Sequence, residues 1–404
     1  MSTAPAALRT IAMPLDAVEP EYRTQVEYAM SFASEDIASY RIDDNGTLEL
    51  TLKPAASEDQ VREKVGKLID RYTDRKFGLK QIVHFKQERD LPVIDAWTQL
   101  LERRWVTPVG PGHVVLRGGA ARLLRTIEAK VLAEVAAPFE AEQEFYPSTI
   151  LCRTLDRINH FTSFPEHVDF VTHLREDVDV LGEFAKKCRE QGWKPEHHDG
   201  AMSPADFAIC PSCCYHCYES MEGWSLPAPG RATTMVVNCH RYEAGNLTTM
   251  SRLRAFHQRD VVWVGHPDFV RNSRASADQL LLRWAKDWEV DCTFENANDM
   301  FFTDDYSVKA SFQRQQEAKR ELRLRIPFEN RAISCSSSNF HAATFGRAFG
   351  IQCDGRVATS ACMGWGYERW VYAVFSQFGL DESAWPKAIR EDMNRYAPTR
   401  KAGA

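Results

Sequence analysis

The stretch Ser360-Ala-Cys-Met-Gly-Trp-Gly-Tyr-Glu-Arg-Trp370 constrains the fold more than any other, because one short run joins a strand pattern to a helix pattern. Residues Arg356 to Cys362 alternate β-branched with small or polar side chains after the turn Cys353-Asp-Gly355, which is a strand signal. A helix is predicted from about Gly364. Gly364 and Gly366 leave room for a bulky ligand near the backbone, and the first-turn N–H groups together with Arg369 suit an anion such as a polyphosphate. Taken alone, the same pattern also describes a buried strand followed by an amphipathic helix with a capping glycine.

With 404 residues the chain has room for two or three domains, or for one large catalytic domain with a small appendage. A formal charge of −6 argues against a protein whose main task is gripping nucleic acid, which normally leaves a strongly basic footprint. The N-terminal Met1-Ser-Thr-Ala-Pro-Ala-Ala7 lacks an apolar signal region, and no run approaches the roughly eighteen apolar residues of a membrane span. A cytoplasmic protein with no membrane partner is expected. Eleven cysteines at irregular spacing are too few for a disulfide scaffold in a chain this long, and read instead as thiols or metal ligands.

Taken in order, residues 1–20 read as a tail and 21–110 as a small α+β module. Its parts are a helix from Glu21 to Phe32, a hairpin from Ala38 to Leu52 turning at Asn45-Gly46, and a helix from Ser57 to Tyr72 with one apolar face. The stretch Val106 to Gly119, with four glycines and two prolines, reads as the junction to a domain spanning 111–390, and 391–404 as a C-terminal tail. Within that domain, helices are predicted over Ala120–Ala137, ended by Pro138, and over Val178–Gln191, with a basic helix from Ser307 to Arg325. Pro147 places the strand-like run Glu142–Ile150 at an edge or interface. Thr233–Cys239, Val261–Val264 and Ser334–His341 read as further strands.

Three constellations carry chemistry. His197-His198 lie in a polar loop and read as exposed rather than ligating. Cys210, Cys213, Cys214 and Cys217 are spaced too tightly for one closed tetrahedral zinc site, which leaves a redox pair or one cysteine joining distant ligands in an open site. The two strands around residues 233–264 can aim Arg241 and Arg252 at phosphates and offer Phe256 as a stacking plate, or form an ordinary surface hairpin.

In combination these residues resemble a known family. Arg241-Tyr-Glu243, Arg252-x-x-x-Phe256 and Gly364-Trp-Gly-Tyr-Glu-Arg369 look like motifs two and three of class II aminoacyl-tRNA synthetases, and Pro147 like the proline of motif one. Cys214, the run Arg259-Asp-Val-Val-Trp-Val-Gly265 and Thr359–Arg369 resemble the zinc-dependent, methanogen-type seryl-tRNA synthetases, and most closely their truncated relatives, the amino acid:[carrier protein] ligases. Tyr146-Pro-Ser148 to Ser163-Phe-Pro165 adds to the likeness, which covers roughly residues 120 to 380. The motifs are individually short; their order and spacing carry the resemblance.

The resemblance implies an α+β fold with a class II synthetase-type antiparallel sheet flanked by helices. It implies that Arg241 binds the α-phosphate of ATP, Glu243 supports the adenine side, Phe256 stacks on adenine, and Arg252 and Arg369 hold the outer phosphates, with Mg2+. Zinc would be bound by Cys214, Asp260 and Cys362, with the fourth position left for the substrate α-amino group, the open arrangement of a catalytic zinc site. The family usually has glutamate where this chain has Asp260, whose shorter arm requires a closer strand; Cys213 and Cys217 stand by as alternative ligands. Arg259 and Asn339 are the candidates for the amino-acid pocket.

The implied reaction is activation of a small amino acid, glycine, alanine or serine, as an aminoacyl-adenylate, followed by transfer to the phosphopantetheine thiol of a carrier protein. The sequence offers no long coiled-coil arm, no dedicated tRNA-binding domain and an acidic balance, so tRNA is not the expected acceptor. A seryl-tRNA synthetase-like enzyme and a catalytically silent binding paralogue are the competing readings. A homodimer is expected.

Overall fold

The computed structural model describes residues 9–43, 45–73, 82–244, 247, 249–297 and 318–398. The chain divides into two units, one of residues 1–82 with 243–248 and one of the remainder.

In the first unit, Thr47–Leu52 lies between Arg9–Pro14 and Ile37–Ile42 in an antiparallel three-stranded sheet. Alternation puts Leu48, Leu50 and Leu52 on one face, all fully buried. The helix Glu58–Thr73 buries Val61, Val65, Ile69 and Tyr72, spaced three or four residues apart on one stripe. Gly46 closes the hairpin at φ 81°, a conformation that favours glycine, while the Asp43 carboxylate accepts from the backbone N–H groups of Asn45 and Thr47. Arg9–Pro14 is thus a strand inside the stretch read as a tail.

The second unit is built on an eight-stranded sheet. Its strand order is Val83–Gln87, Cys292–Asn296, Lys319–Ile326, Arg331–Ala342, Thr359–Gly366, Ala255–Gly265, Gly230–His240 and Glu142–Phe145. All neighbours are antiparallel except the last pair. The division between units falls after residue 82, earlier than the junction read at 106–119, because Val83–Gln87 pairs with Cys292–Asn296. Residues 106–116 form a hairpin of their own.

Alternation gives this sheet two different faces. Val261, Trp263, Ala361, Met363 and Trp365 join a core with the helices Gly118–Lys130, Pro267–Asp287 and Tyr367–Phe378. Trp370 on the last helix stacks on Trp284 at 5.0 Å and meets Trp288 edge-on at 5.9 Å. Val262, Val264 and Cys362 point the other way, into a second core with Cys210, Cys213, Cys214, Cys217, Met235 and Val237. The candidate ligands Cys214 and Cys362 belong to this second core.

Four expectations about secondary structure change. The strand Thr359–Gly366 runs through both glycines, and the helix starts at Tyr367 rather than Gly364. Pairing on both sides, to Ala255–Gly265 and Arg331–Ala342, holds this backbone extended. Lys319–Ile326 is a strand and not the end of a basic helix; residues 307–317 of that stretch lie outside the described residues. The helix from Gly118 ends as an α-helix at Lys130 and continues as a π-helical turn over Val131–Ala136, just before Pro138, which removes a backbone donor. A helix Lys387–Tyr396 occupies part of the expected C-terminal tail. Among the described residues no helix is long and apolar enough to cross a membrane.

Candidate functional site

Cys214, Asp260 and Cys362 come together from three elements. Cys214 immediately precedes the short helix Tyr215–Ser220. Asp260 and Cys362 lie on adjacent strands in a register that pairs Asp260 with Gly364 and Val262 with Cys362, so both side chains project from the same face. One ligand atom from each residue lies within 4.8 Å of the other two, and all three residues are buried. Among the described residues this is the one group of three or more metal-binding side chains. Cys213 donates to the Met235 carbonyl at 3.5 Å, and neither it nor Cys217 belongs to the group. His197 is buried beside the Cys188 thiol at 3.8 Å, rather than exposed, and His198 stacks on Phe184.

The electrostatics of the triad suit a cation. Asp260 Oδ1 accepts from Gln258 Nε2 at 2.8 Å, whereas Oδ2 is buried without a partner in hydrogen-bond geometry. Burial pushes the Asp260 carboxyl up to about 6, although Gln258 and the Cys214 thiol pull the other way. The Cys214 thiol is pushed well up, first by its contact with Cys362 and then by burial. Burial thus disfavours the charged forms of Asp260 and Cys214, and a divalent cation at the group would reverse that balance. Two sulfurs and one carboxylate oxygen form a donor set that fits zinc with one position open.

A polar rim surrounds Cys362. Asn339, directly opposite it in the ladder, donates Nδ2 to its sulfur at 3.5 Å and to Ser337 Oγ at 3.2 Å. His341 Nε2 lies 3.7 Å from the same sulfur, while Nδ1 lies 3.1 Å from Tyr218 Oη and 3.4 Å from Ser360 Oγ. The His341 ring also meets Phe345 edge-on at 4.9 Å. Sequence reasoning missed His341 and Tyr218. The signal for His341 was its place two residues after Asn339 on a strand whose alternate residues share a face.

Of the residues expected to bind nucleotide, Phe256 shares the strand face of Asp260 and Arg241 lies against it. Arg241 follows the strand Gly230–His240, donates Nε to the Pro211 carbonyl at 2.9 Å, and holds its guanidinium 5.4 Å over the Phe256 ring. Its charge reaches Asp260 and the buried His160, whose imidazole is lowered to about 4 by burial first and by Arg241 second. Arg369 projects from the first turn of the helix Tyr367–Phe378 and donates to the Ser334 carbonyl at 3.1 Å. Arg252 is half-buried in the loop before Ala255–Gly265. Glu243 is buried and belongs to the segment 243–248.

Two expectations about the pocket are corrected. Arg259 does not share the face of Asp260: it donates Nε to Tyr367 Oη at 2.9 Å, Nη1 to Thr234 Oγ1 at 3.3 Å and Nη2 to Glu128 at 3.0 Å, on the helix side of the sheet. Its odd position in the strand requires this, since Val261 and Trp263 point the same way. Gly364 leaves no open space for a ligand, because the Asp260 carboxylate and the Gln258 amide already lie over it.

No protein-family model matches the chain. It is 29% identical over 287 residues to amino acid--[acyl-carrier-protein] ligase 1 of Bradyrhizobium diazoefficiens, a match covering 70% of this chain and 86% of that protein. It is 22% identical over 321 residues to a type-2 serine--tRNA ligase of Methanococcus aeolicus, covering 77% of this chain and 61% of that one. The fold matches the M. kandleri SerRS, solved in complex with A. aeolicus tRNASec, with a TM-score of 0.68 and 18% identity over 96% of this chain and 77% of that one. By fold the chain is a class II synthetase-like protein, and by sequence it is a relative of the amino acid--[acyl-carrier-protein] ligases and the type-2 serine--tRNA ligases.

Proposed function

We propose that this protein activates a small amino acid with ATP and transfers it to the phosphopantetheine thiol of a carrier protein. The observation that carries this reading is the buried Cys214–Asp260–Cys362 group on the sheet face that also bears Phe256 and Arg241, in a chain that resembles a carrier-protein ligase over 86% of that ligase's length. The acidic overall balance, −6, favours a small protein acceptor over tRNA.

In this reading Cys214, Asp260 and Cys362 hold zinc. Bound there, zinc would supply a Lewis acid for the substrate α-amino group, and the small space beside these three side chains would favour glycine, alanine or serine. Asn339, at the edge of the group, is the residue for the substrate's remaining contacts. Arg241 faces the α-phosphate, Arg252 and Arg369 take the outer phosphates with Mg2+, Glu243 supports the adenine side, and Phe256 supplies a ring for the base. The substrate carboxylate attacks the α-phosphorus and pyrophosphate leaves with the P–O bond. Positioning and charge stabilisation carry that step. The carrier thiol then attacks the adenylate carbonyl, forming the thioester as AMP departs. We place the enzyme in the cytoplasm as a homodimer.

The test is intact-mass analysis of a holo-carrier protein incubated with enzyme, ATP and a panel of amino acids. A gain of one aminoacyl group, absent with the apo-carrier, supports the reading. Charging of bulk tRNA with the carrier unmodified overturns it in favour of a synthetase, and amino-acid-dependent pyrophosphate exchange with neither acceptor modified overturns the choice of acceptor alone. No exchange with any amino acid favours the silent paralogue.

A further inference from the structure

Two residues outside the Cys214–Asp260–Cys362 group, Gln258 and Gly364, lie against the Asp260 carboxylate. Gln258 stands two positions earlier on the same strand, hence on the same face, and its Nε2 donates to Oδ1 at 2.8 Å. That bond occupies one carboxylate oxygen and leaves Oδ2, buried and without a partner in hydrogen-bond geometry, as the atom available to a cation. Across the ladder, Asp260 is in register with Gly364. A Cβ at 364 would lie 2.6 Å from Asp260 Oδ1 and 3.1 Å from Gln258 Nε2, closer to the oxygen than real side-chain carbons come. Carboxylate and amide therefore lie in space that any other residue at 364 would fill.

We propose that Gln258 and Gly364 are positioning residues that fit an aspartate to this site. An aspartate reaches one methylene less far than a glutamate, and its carboxylate has less freedom to find a metal by rotating. Gln258 fixes which oxygen is presented, and Gly364 lets the carboxylate lie flat against the neighbouring strand. Both act through Asp260 and touch no substrate. Groups that orient metal-binding carboxylates in this way typically change metal affinity by roughly 10- to 100-fold when removed.

The inference rests on the zinc reading of the triad, and the experiment separates the two. Full-length protein is stripped of metal, and zinc affinity is measured by competition with a chromophoric chelator, with cobalt(II) as a second probe whose thiolate absorption reports ligand geometry. Gln258→Leu and Gly364→Ala should each weaken zinc binding by roughly 10- to 100-fold and alter the cobalt spectrum. The metal-free Gln258→Leu protein should melt close to the metal-free parent, a result that a merely structural role would not give. Wild-type affinity in Gln258→Leu overturns the proposal, and that variant decides alone if Gly364→Ala does not fold. If the parent binds zinc and Cys214→Ser and Cys362→Ser abolish it, unchanged binding in Gln258→Leu defeats the positioning role only. If the parent binds none, the zinc reading falls and this inference with it.

Discussion

Arg259 and Glu128 form an ion pair of 3.0 Å on the helix side of the sheet, while Asp260, the next residue, points to the opposite side. One strand thus ties the helix Gly118–Lys130 to the sheet and supplies a metal-ligand candidate with consecutive residues. Arg259→Ala should therefore act on stability. It strips the buried Tyr367 hydroxyl and Thr234 of a partner, and because Glu128 is partly exposed the loss should be about 2 kcal/mol. Urea unfolding of the variant should show this, with the Michaelis constant for the amino acid little changed. A large rise in that constant at unaltered stability would return Arg259 to the substrate pocket.

For the triad, purified protein should carry about one zinc per chain, and Cys214→Ser or Cys362→Ser should lose it while keeping the fold. Metal analysis and circular dichroism on the same samples make the check. Zinc retained in both variants would remove the assignment, and zinc retained at full level in Asp260→Ala would point to Cys213 or Cys217 as the third ligand.

How far these features were legible in the sequence depended on how local their causes are. The Asn45-Gly46 hairpin and the helix Val178–Gln191 follow from turn chemistry and from an Asp177 cap, all within a few residues. The strand Lys319–Ile326 was misread as the end of a basic helix: Leu322, Leu324 and Ile326 alternate and are fully buried, but the basic residues before and between them drew the reading to a helix. The helix start at Tyr367 was not legible. Glycines at 364 and 366 permit many conformations, and only pairing with two distant strands selects the extended one. His341 shows the same limit: its contact with Cys362 depends on a register that no local pattern encodes.

The His257–Glu368 pair gives a pH signature. Glu368 is buried and accepts from both the His257 backbone N–H and Nδ1, at 2.9 and 2.7 Å. That hydrogen bond raises the imidazole above its usual value, with Glu128 adding to the pull against the cost of burial. Because the folded state holds the proton more tightly, the stabilisation is fully present below about 6.5 and is lost as pH rises through the folded-state value. The ring is half exposed, so the effect should not exceed about 1 kcal/mol. Melting curves across this range should show a decline in the parent that His257→Gln removes. An identical decline in the variant would assign it to another group.

The last prediction concerns activation itself. Arg241 touches Phe256 and Arg369 is braced on the Ser334 carbonyl, so each guanidinium is held in place before nucleotide binds. Groups positioned in advance to meet developing charge contribute most in the transition state, and removing one typically lowers turnover by about 10²- to 10³-fold. Arg241→Ala and Arg369→Ala should each reduce amino-acid-dependent pyrophosphate exchange by that order. Losing Arg241 also frees the Pro211 carbonyl and one side of the Phe256 ring, so affinity for ATP should fall with the rate. Losing Arg369 leaves Phe256 and its contact with Arg241 in place, so binding of AMP, which lacks the outer phosphates, should be nearly unchanged. Calorimetric titration with AMP and ATP in the two variants separates these roles. Equal loss of AMP binding in both would mean that Arg369 does not act on the outer phosphates.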